Sequence, residues 1–372
     1  IFNKMSKKDF RFYDSRQKYL LFVTTTNEKN KIADAIYPYV KTINPTSPAL
    51  KIFDAGVGDG AVLMNVLRIC HQKFPTIPFY VSCKDVSMED ARITIEKLGD
   101  RFVEHPNMVF VISNLHYSEA GFLKSNNSKK QEKMNWNSLE LEGNSSFGFY
   151  EQLRKLGPTL RDTWRVEENE HGNTTYEQPS TVVIYRKDQE FALEQIIPSP
   201  EQSINSFDLV IVSQAYRSRA SVDKKVNRVV KPMIDLIAPG GKLAIFHSHG
   251  NDPGYDAIRD LWPSEEPFPN KGDEMIDYIK NNLDTNLLKD LHFKPVEIFK
   301  YRLRSQPNEI NSGIATSLVF SAWNACTYVA QISDQMVKEK ESDQSYIQSV
   351  EKAIKDNDGL WFNDEMIVIE RK

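Results

Sequence analysis

The sequence predicts an α/β fold, a mainly parallel sheet flanked by helices, and three observations predict it. Short apolar segments alternate with segments of helical periodicity, the pattern of strands joined by helical crossovers. Leu50 to Asp54, Pro78 to Ser87, Met108 to Leu115, Phe207 to Ser218 and Lys242 to Gly250 read as those strands. The first strand runs into a loop with glycines at alternate positions, Gly56, Gly58 and Gly60, and then into AVLMNVLRICHQKF, which has helical spacing. Finally, an Ala-Pro-Gly-Gly turn leads into the fifth strand, and the chain closes on a further apolar segment, LWFNDEMIVIERK.

In chain order, residues 1–12 are a polar, basic lead-in. Tyr13 to Val40 reads as two helices, the second capped by Thr25 or Thr26 and carrying Ile32, Ala33, Ile36 and Val40 at helical spacing. Asn44 to Pro48 is turn material that ends it. MEDARITIEKL, after the second strand, reads as a helix. The alternation then breaks over residues 118–206, a stretch far longer than an ordinary connection. It is polar but holds Trp136, Phe147, Phe149, Tyr150 and Trp164, and Thr181 to Ile197 reads as a strand followed by a strand or short helix. We read it as an insertion beside the active site; its composition also suits a disordered surface loop. The helix VDKKVNRVVKPMIDLI follows the fourth strand, with Val226, Val229, Val230 and Met233 on one side. His292 to Arg304 reads as a sixth strand, and Gly313 to Ile332 and Gln344 to Lys355 as helices. The expected organisation is a helical cap (1–48), the first half of a nucleotide-binding domain (49–117), the insertion (118–206) and the second half with its C-terminal helices and last strand (207–372).

Bulk properties narrow the function. A net charge of −4 and a pI of about 6.1 argue against a nucleic-acid binder with a broad basic face. No apolar run approaches the ~20 residues that span a bilayer, and no charged-then-apolar leader opens the chain, so neither a membrane span nor a signal peptide is expected. Cys70, Cys83 and Cys326 are scattered without CxxC spacing, which suits a reducing, cytoplasmic setting. A monomer or homodimer is expected.

The glycine loop carries the chemistry. GVGDGA also satisfies the GxGxxA dinucleotide pattern, so by itself it fits NAD or S-adenosylmethionine (SAM). Asp54, two residues before Gly56, can face an ammonium or organise the loop. Asp85, ending the second strand, can accept both hydroxyls of a ribose. Ser213 ends the fourth strand, and Asn114 ends the third as an adenine contact or a turn residue. With the Pro-Gly-Gly turn and a final strand at the C-terminus, these favour SAM over NAD.

IFDAGVGDG, CKDVS, FDLVIVSQAYRS and APGGKLAIF resemble the successive motifs of class I SAM-dependent methyltransferases, over most of the chain outside the insertion. The Tyr-rich N-terminal helix pair, HSHGNDPGYDAIRDLW and LWFNDEMIVIE are similar to segments of the histamine N-methyltransferase type of small-molecule enzyme. The resemblance implies a Rossmann-like sheet of seven strands, ordered 3-2-1-4-5-7-6 with the last antiparallel. It implies SAM as cofactor and a small-molecule acceptor, an amine or imidazole nitrogen. It also implies acceptor-facing residues at Glu28, Gln214 and Asn363, with Asp364 competing for the last place. The insertion departs from that family. The cap and insertion are expected to cover the carboxyl ends of the strands.

Each residue has a plainer reading beside the functional one. Glu28 also suits a solvated acid at a helix start. Tyr13, Tyr19 and Tyr216 can face a sulfonium or a cationic amine, or pack. His247 and His249 form an H-x-H that can meet a metal, but no third ligand is evident; no metal is expected, and His247 is placed at the pocket rim as a base. Three other functions stay open: an O- or C-methyltransferase or protein methyltransferase, a non-catalytic SAM-binding regulator, and an NAD oxidoreductase.

Overall fold

Strands covered by helices on both faces are apolar along their whole length, and the inner strands here are buried at every residue: β1 (Leu50–Asp54), β2 (Phe79–Lys84) and β3 (Met108–Ser113). The computed structural model describes residues 16–168, 174–306, 309–310 and 315–372. Ahead of β1 lie helices α1 (Arg16–Thr25) and α2 (Glu28–Lys41). α3 (Ala61–Lys73) joins β1 to β2, and α4 (Met88–Glu96) and α5 (Gly99–Glu104) join β2 to β3.

The insertion is ordered where described. It holds β4 (Asn135–Leu141), the hairpin β5 (Val166–Glu168) and β6 (Thr174–Tyr176), and β7 (Ser180–Arg186). A short helix, Glu190–Leu193, follows β7 as one of the two expected continuations. The core then resumes with β8 (Phe207–Ser213) and β9 (Ile237–Ser248), and ends with β10 (Leu291–Phe293), β11 (Glu297–Arg302) and β12 (Trp361–Arg371).

The main sheet has ten strands rather than the expected seven, ordered β10-β12-β9-β8-β1-β2-β3-β7-β4, with β11 also paired to β12. Within it β3-β2-β1-β8-β9-β12-β11 reproduces the expected order, and β12 runs antiparallel to β9. The other three strands have two sources. The expected sixth strand is split at Lys294–Pro295 into β10 and β11, because proline has no N–H for a ladder. The insertion adds β7 antiparallel to β3, and β4 parallel to β7.

The insertion therefore extends the sheet sideways more than it covers the strand ends. Its helices Ser146–Arg154 and Leu156–Thr163 pack on α4 and α5. It reaches the strand ends through Trp164, whose Nε1 donates to the Asp85 carbonyl at 3.0 Å. The Pro-Gly-Gly turn lies inside β9 as an irregularity: Gly240 has φ +78°, and the β8–β9 register shifts between Phe207 and Leu209.

One apolar layer, with α2, α3 and Phe102 of α5, covers one face of the sheet; the other holds Val226, Val229, Val230 and Met233 as expected, with Met275, Ile276 and Ile279. A third cluster joins Phe22 of α1 to helices Pro253–Leu261, Thr316–Val329 and Ser345–Asp356. It fastens the N-terminal cap over the carboxyl ends of β1, β8 and β9.

Candidate active site

β1 ends at Asp54, and the chain turns through Gly56–Gly60 into α3. Gly58 (φ +52°) and Gly60 (φ +79°) are left-handed, a conformation that costs other residues energy. A Cβ at Gly58 would strike the Tyr19 hydroxyl from α1. Two acids brace the loop. Asp54 Oδ1 accepts from Gly56 N at 3.1 Å. Asp85 accepts from Gly58 N at 3.0 Å through Oδ2 and from Ser87 N at 2.8 Å through Oδ1. Burial raises both carboxyls, Asp54 to about 7 and Asp85 to about 6. Tyr19 and Asp59 lock α1 to the loop: the Tyr19 hydroxyl donates to Asp59 Oδ1 at 3.1 Å and accepts from Asp59 N at 3.0 Å.

A cavity lies at the carboxyl ends of β1, β2, β8 and β9, where open α/β sheets bind ligands. Its far wall is acidic. Gln214 follows β8 with φ +51°, left-handed without being glycine. Its amide nitrogen lies 3.3 Å from Glu28 Oε1, 3.3 Å from Asp364 Oδ2 and 3.4 Å from Ser248 Oγ. The Lys29 ammonium sits 2.8 Å from Glu28 Oε2, in an orientation that makes an ion contact without a hydrogen bond. Asp364 is fully buried with its Oδ1 unpartnered. Burial, then the Glu28 charge, pushes its carboxyl well above the usual range.

Of the residues singled out from sequence, Glu28, Gln214, Asp54, Gly56, Gly58 and Asp85 line this cavity, as do Ser213 and Tyr19. Gly60 stands behind it as the N-cap of α3. Tyr13 lies outside the described residues. Four side chains lie elsewhere. Asn114 is held by the insertion, accepting from Ser180 N at 2.8 Å and donating to the Gln178 carbonyl at 2.9 Å. Asn363 donates to the carbonyls of Gly250 and Asn251.

His247 and Tyr216 point to the opposite face of the sheet. Alternate residues of a strand face opposite ways, so Ser248 at the cavity wall puts His247 behind it, and Asp364 rather than Asn363 reaches Gln214. Behind the wall His247 Nδ1 meets the Tyr216 hydroxyl at 2.8 Å and His247 Nε2 meets Glu365 Oε1 at 2.6 Å. Glu365 Oε2 also takes His249 Nδ1 at 3.1 Å. Burial lowers the His247 pKa, favouring the neutral ring. That places its proton on Nε2 toward the carboxylate and leaves Nδ1 to accept from Tyr216.

Sequence reasoning missed Lys29, Asp59 and Lys84. Lys29 and Asp59 take their meaning from partners in space. Lys84 looks like any strand end. Among the described residues no group of three or more His, Cys, Asp or Glu is placed to hold a metal ion, and no helix is long and apolar enough to cross a membrane.

No family model matches the sequence, and no curated protein does. Solved structures with a similar architecture include several methyltransferases. Among them, a geranyl diphosphate methyltransferase in complex with GPP and sinefungin is 10% identical over 91% of this chain and 78% of that chain, with a TM-score of 0.36. A coclaurine N-methyltransferase bound to N-methylheliamine and SAH is 9% identical over 92% of this chain and 70% of that chain, at a TM-score of 0.36. A SAM dependent methyltransferase from Archaeoglobus fulgidus is 8% identical over 95% and 99%, at 0.33. Likeness this distant assigns no reaction and no acceptor; those rest on the residues of the cavity.

Proposed function

We propose that the protein is a SAM-dependent methyltransferase that methylates a nitrogen of a small amine or imidazole compound. The observation that carries the acceptor half is the pair of buried carboxyls, Glu28 and Asp364, bridged by the Gln214 amide at 3.3 Å from each. Glu28 already faces the Lys29 ammonium, and burial holds Asp364 neutral; a protonated amine arriving beside them supplies the positive charge that lets Asp364 ionise.

The residues around the glycine loop suit SAM. Burial holds Asp54 protonated up to about pH 7, and an arriving α-ammonium lets it ionise. Asp85 stands at a strand end, where a carboxylate accepts the two ribose hydroxyls. The left-handed glycine at Gly58 lets a ligand approach the backbone closely. Bound there, SAM supplies a methyl group activated by its sulfonium.

The remaining chemistry belongs to the chain. Glu28 attracts the cationic acceptor and takes the amine proton, freeing the nitrogen lone pair. Gln214 orients the acceptor without adding charge. Tyr19, Phe22 and Tyr328 wall the cavity with aromatic faces that tolerate positive charge. A nitrogen–carbon bond forms as the carbon–sulfur bond breaks, and the electron pair of that bond stays on sulfur. Positioning supplies most of the acceleration.

The test is a panel of amines and imidazoles assayed by SAH release and by mass of the product, with Glu28→Gln alongside. Methylation of at least one panel member is expected. Glu28→Gln should lower kcat by about 10²-fold or more while SAH affinity stays within about threefold. SAM binding with methylation confined to protein or RNA would overturn the acceptor class; no binding of SAM or SAH would overturn the cofactor.

A further inference from the structure

Lys84 is the last residue of β2 and more than nine-tenths buried, yet it lines the cavity. The other ammonium and guanidinium groups at the cavity wall are paired: Arg16 with Asp90 at 2.8 Å and Lys29 with Glu28 at 2.8 Å. Among the described residues the Lys84 amine has neither a hydrogen-bond acceptor nor an ion-pair partner within reach. It stands over the Tyr117 ring, 4.3 Å from the nitrogen to the centroid. Tyr117 is itself fixed, its hydroxyl donating to the Ala215 carbonyl at 2.6 Å.

The surroundings say what kind of group belongs there. Lys84 precedes Asp85, so it adjoins the ribose position and lies on the opposite face of β2. Apolar groups line the same cavity, among them Val86, Ala215 and the Tyr117 ring. An amine offers N–H donors, so its missing partner is an acceptor. That acceptor is neutral, because Asp85 and Glu119 already direct negative charge at Lys84 and would repel an anion. Burial lowers the Lys84 pKa while those two carboxylates push back, and the amine donates in either protonation state. A planar heterocycle with bare ring nitrogens, attached to the ribose at Asp85, meets every condition.

We infer that Lys84 reads the adenine of the cofactor by donating a hydrogen bond to one of its ring nitrogens. The inference rests on the SAM reading of the cavity. It makes Lys84 a residue that selects the base, where a methionine of equal length would only pack.

The test compares native protein and Lys84→Met for binding of SAH and of its three analogues in which N1, N3 or N7 is replaced by CH, by calorimetry. In the native protein one analogue should bind about tenfold or more weaker than SAH. In Lys84→Met, SAH and that analogue should bind alike, at the weaker level. Equal binding of SAH by native and variant protein would overturn the inference, as would a variant that loses the same factor for all four ligands. Native protein that binds SAH but treats the three analogues alike would overturn the inference and spare the cofactor reading. Native protein that binds no SAH would overturn both. Circular dichroism of Lys84→Met confirms that the variant is folded.

Discussion

If Asp54 faces the cofactor as proposed, binding should carry a measurable pH dependence. The Asp54 carboxyl is raised to about 7 by burial, with the Gly56 N–H and the Lys29 charge opposing. A ligand ammonium facing it restores the ionised form and returns its pKa toward the ordinary value of about 4. The sign follows from linkage: ligand binds the deprotonated form, so affinity is fully present above pH 7 and falls as pH drops through 7. With free and bound values of about 7 and about 4, apparent affinity falls about 80-fold between pH 8 and pH 5. About 0.9 proton is released per ligand at pH 6.

Calorimetry of SAH binding in two buffers of different ionisation enthalpy reads the proton count directly. Asp54→Asn should bind SAH more weakly at pH 8 and lose most of the pH dependence. The residue left should titrate near pH 6, where Asp85 is poised. If Asp54→Asn keeps the native proton release, Asp54 does not face the ligand charge, and its role ends with bracing Gly56.

Three further outcomes are expected. Gly58→Ala pairs a left-handed φ with a collision against the Tyr19 hydroxyl; SAH affinity should fall about tenfold or more with the far-ultraviolet spectrum intact. Asp364→Asn should leave thermal stability near native at about pH 3.5 and raise it increasingly above about pH 4, more at pH 8 than at pH 5. A carboxyl whose folded pKa is raised contributes less stability as pH climbs through the unfolded value, and asparagine cannot ionise. Asp252 caps helix Pro253–Leu261 through Tyr255 N at 2.8 Å and also accepts from Asn363 N at 3.0 Å. Asp252→Ala should cost about 1–2 kcal/mol, read as a melting temperature lowered by about 2–8 °C.

The parts of the fold legible in the sequence are those decided locally. β1, the glycine turn and α3 follow from an apolar run, residues free to take positive φ, and 3.6-residue periodicity, all within about 25 positions. The order of the central strands was available from the resemblance of motifs. β4 was not legible: NWNSLEL is half polar, and it is a strand because β7 lies beside it. The candidate site was legible only in part. Glu28 and Gln214 line one cavity, but in β12 the side chain that meets Gln214 is Asp364, not Asn363. A strand reverses its faces at every step, so a one-residue ambiguity in alignment becomes a choice between opposite sides of the sheet. The same parity removes His247 from the cavity. Lys84 carried no signal, because a lysine ending a strand is ordinary until its surroundings prove to lack an acceptor.

The acids of the cavity fall into two groups, and the sheet order explains why. Asp54 ends β1 and Asp85 follows β2; Glu28 starts α2 and Asp364 lies on β12, across β9. Between the groups lies β8, beside β1 in a sheet whose first crossovers lead away to β2 and β3. That is the switch point of the topology, where the loops diverge and leave a crevice. Gln214 occupies it with a backbone conformation that costs on the order of 1 kcal/mol. Its position links the two groups: the β8 turn borders the cofactor loop through Ala215, whose Cβ would lie 3.5 Å from one on Gly56, while the Gln214 amide grips the acceptor acids. In the proposed reaction, a cofactor on the β1–β2 side and an acceptor held on the β12 side would meet over β8. On that proposal the residue that bridges Glu28 and Asp364 would also set how closely donor and acceptor approach, a use for a strained glutamine where a relaxed strand end would have been cheaper to fold.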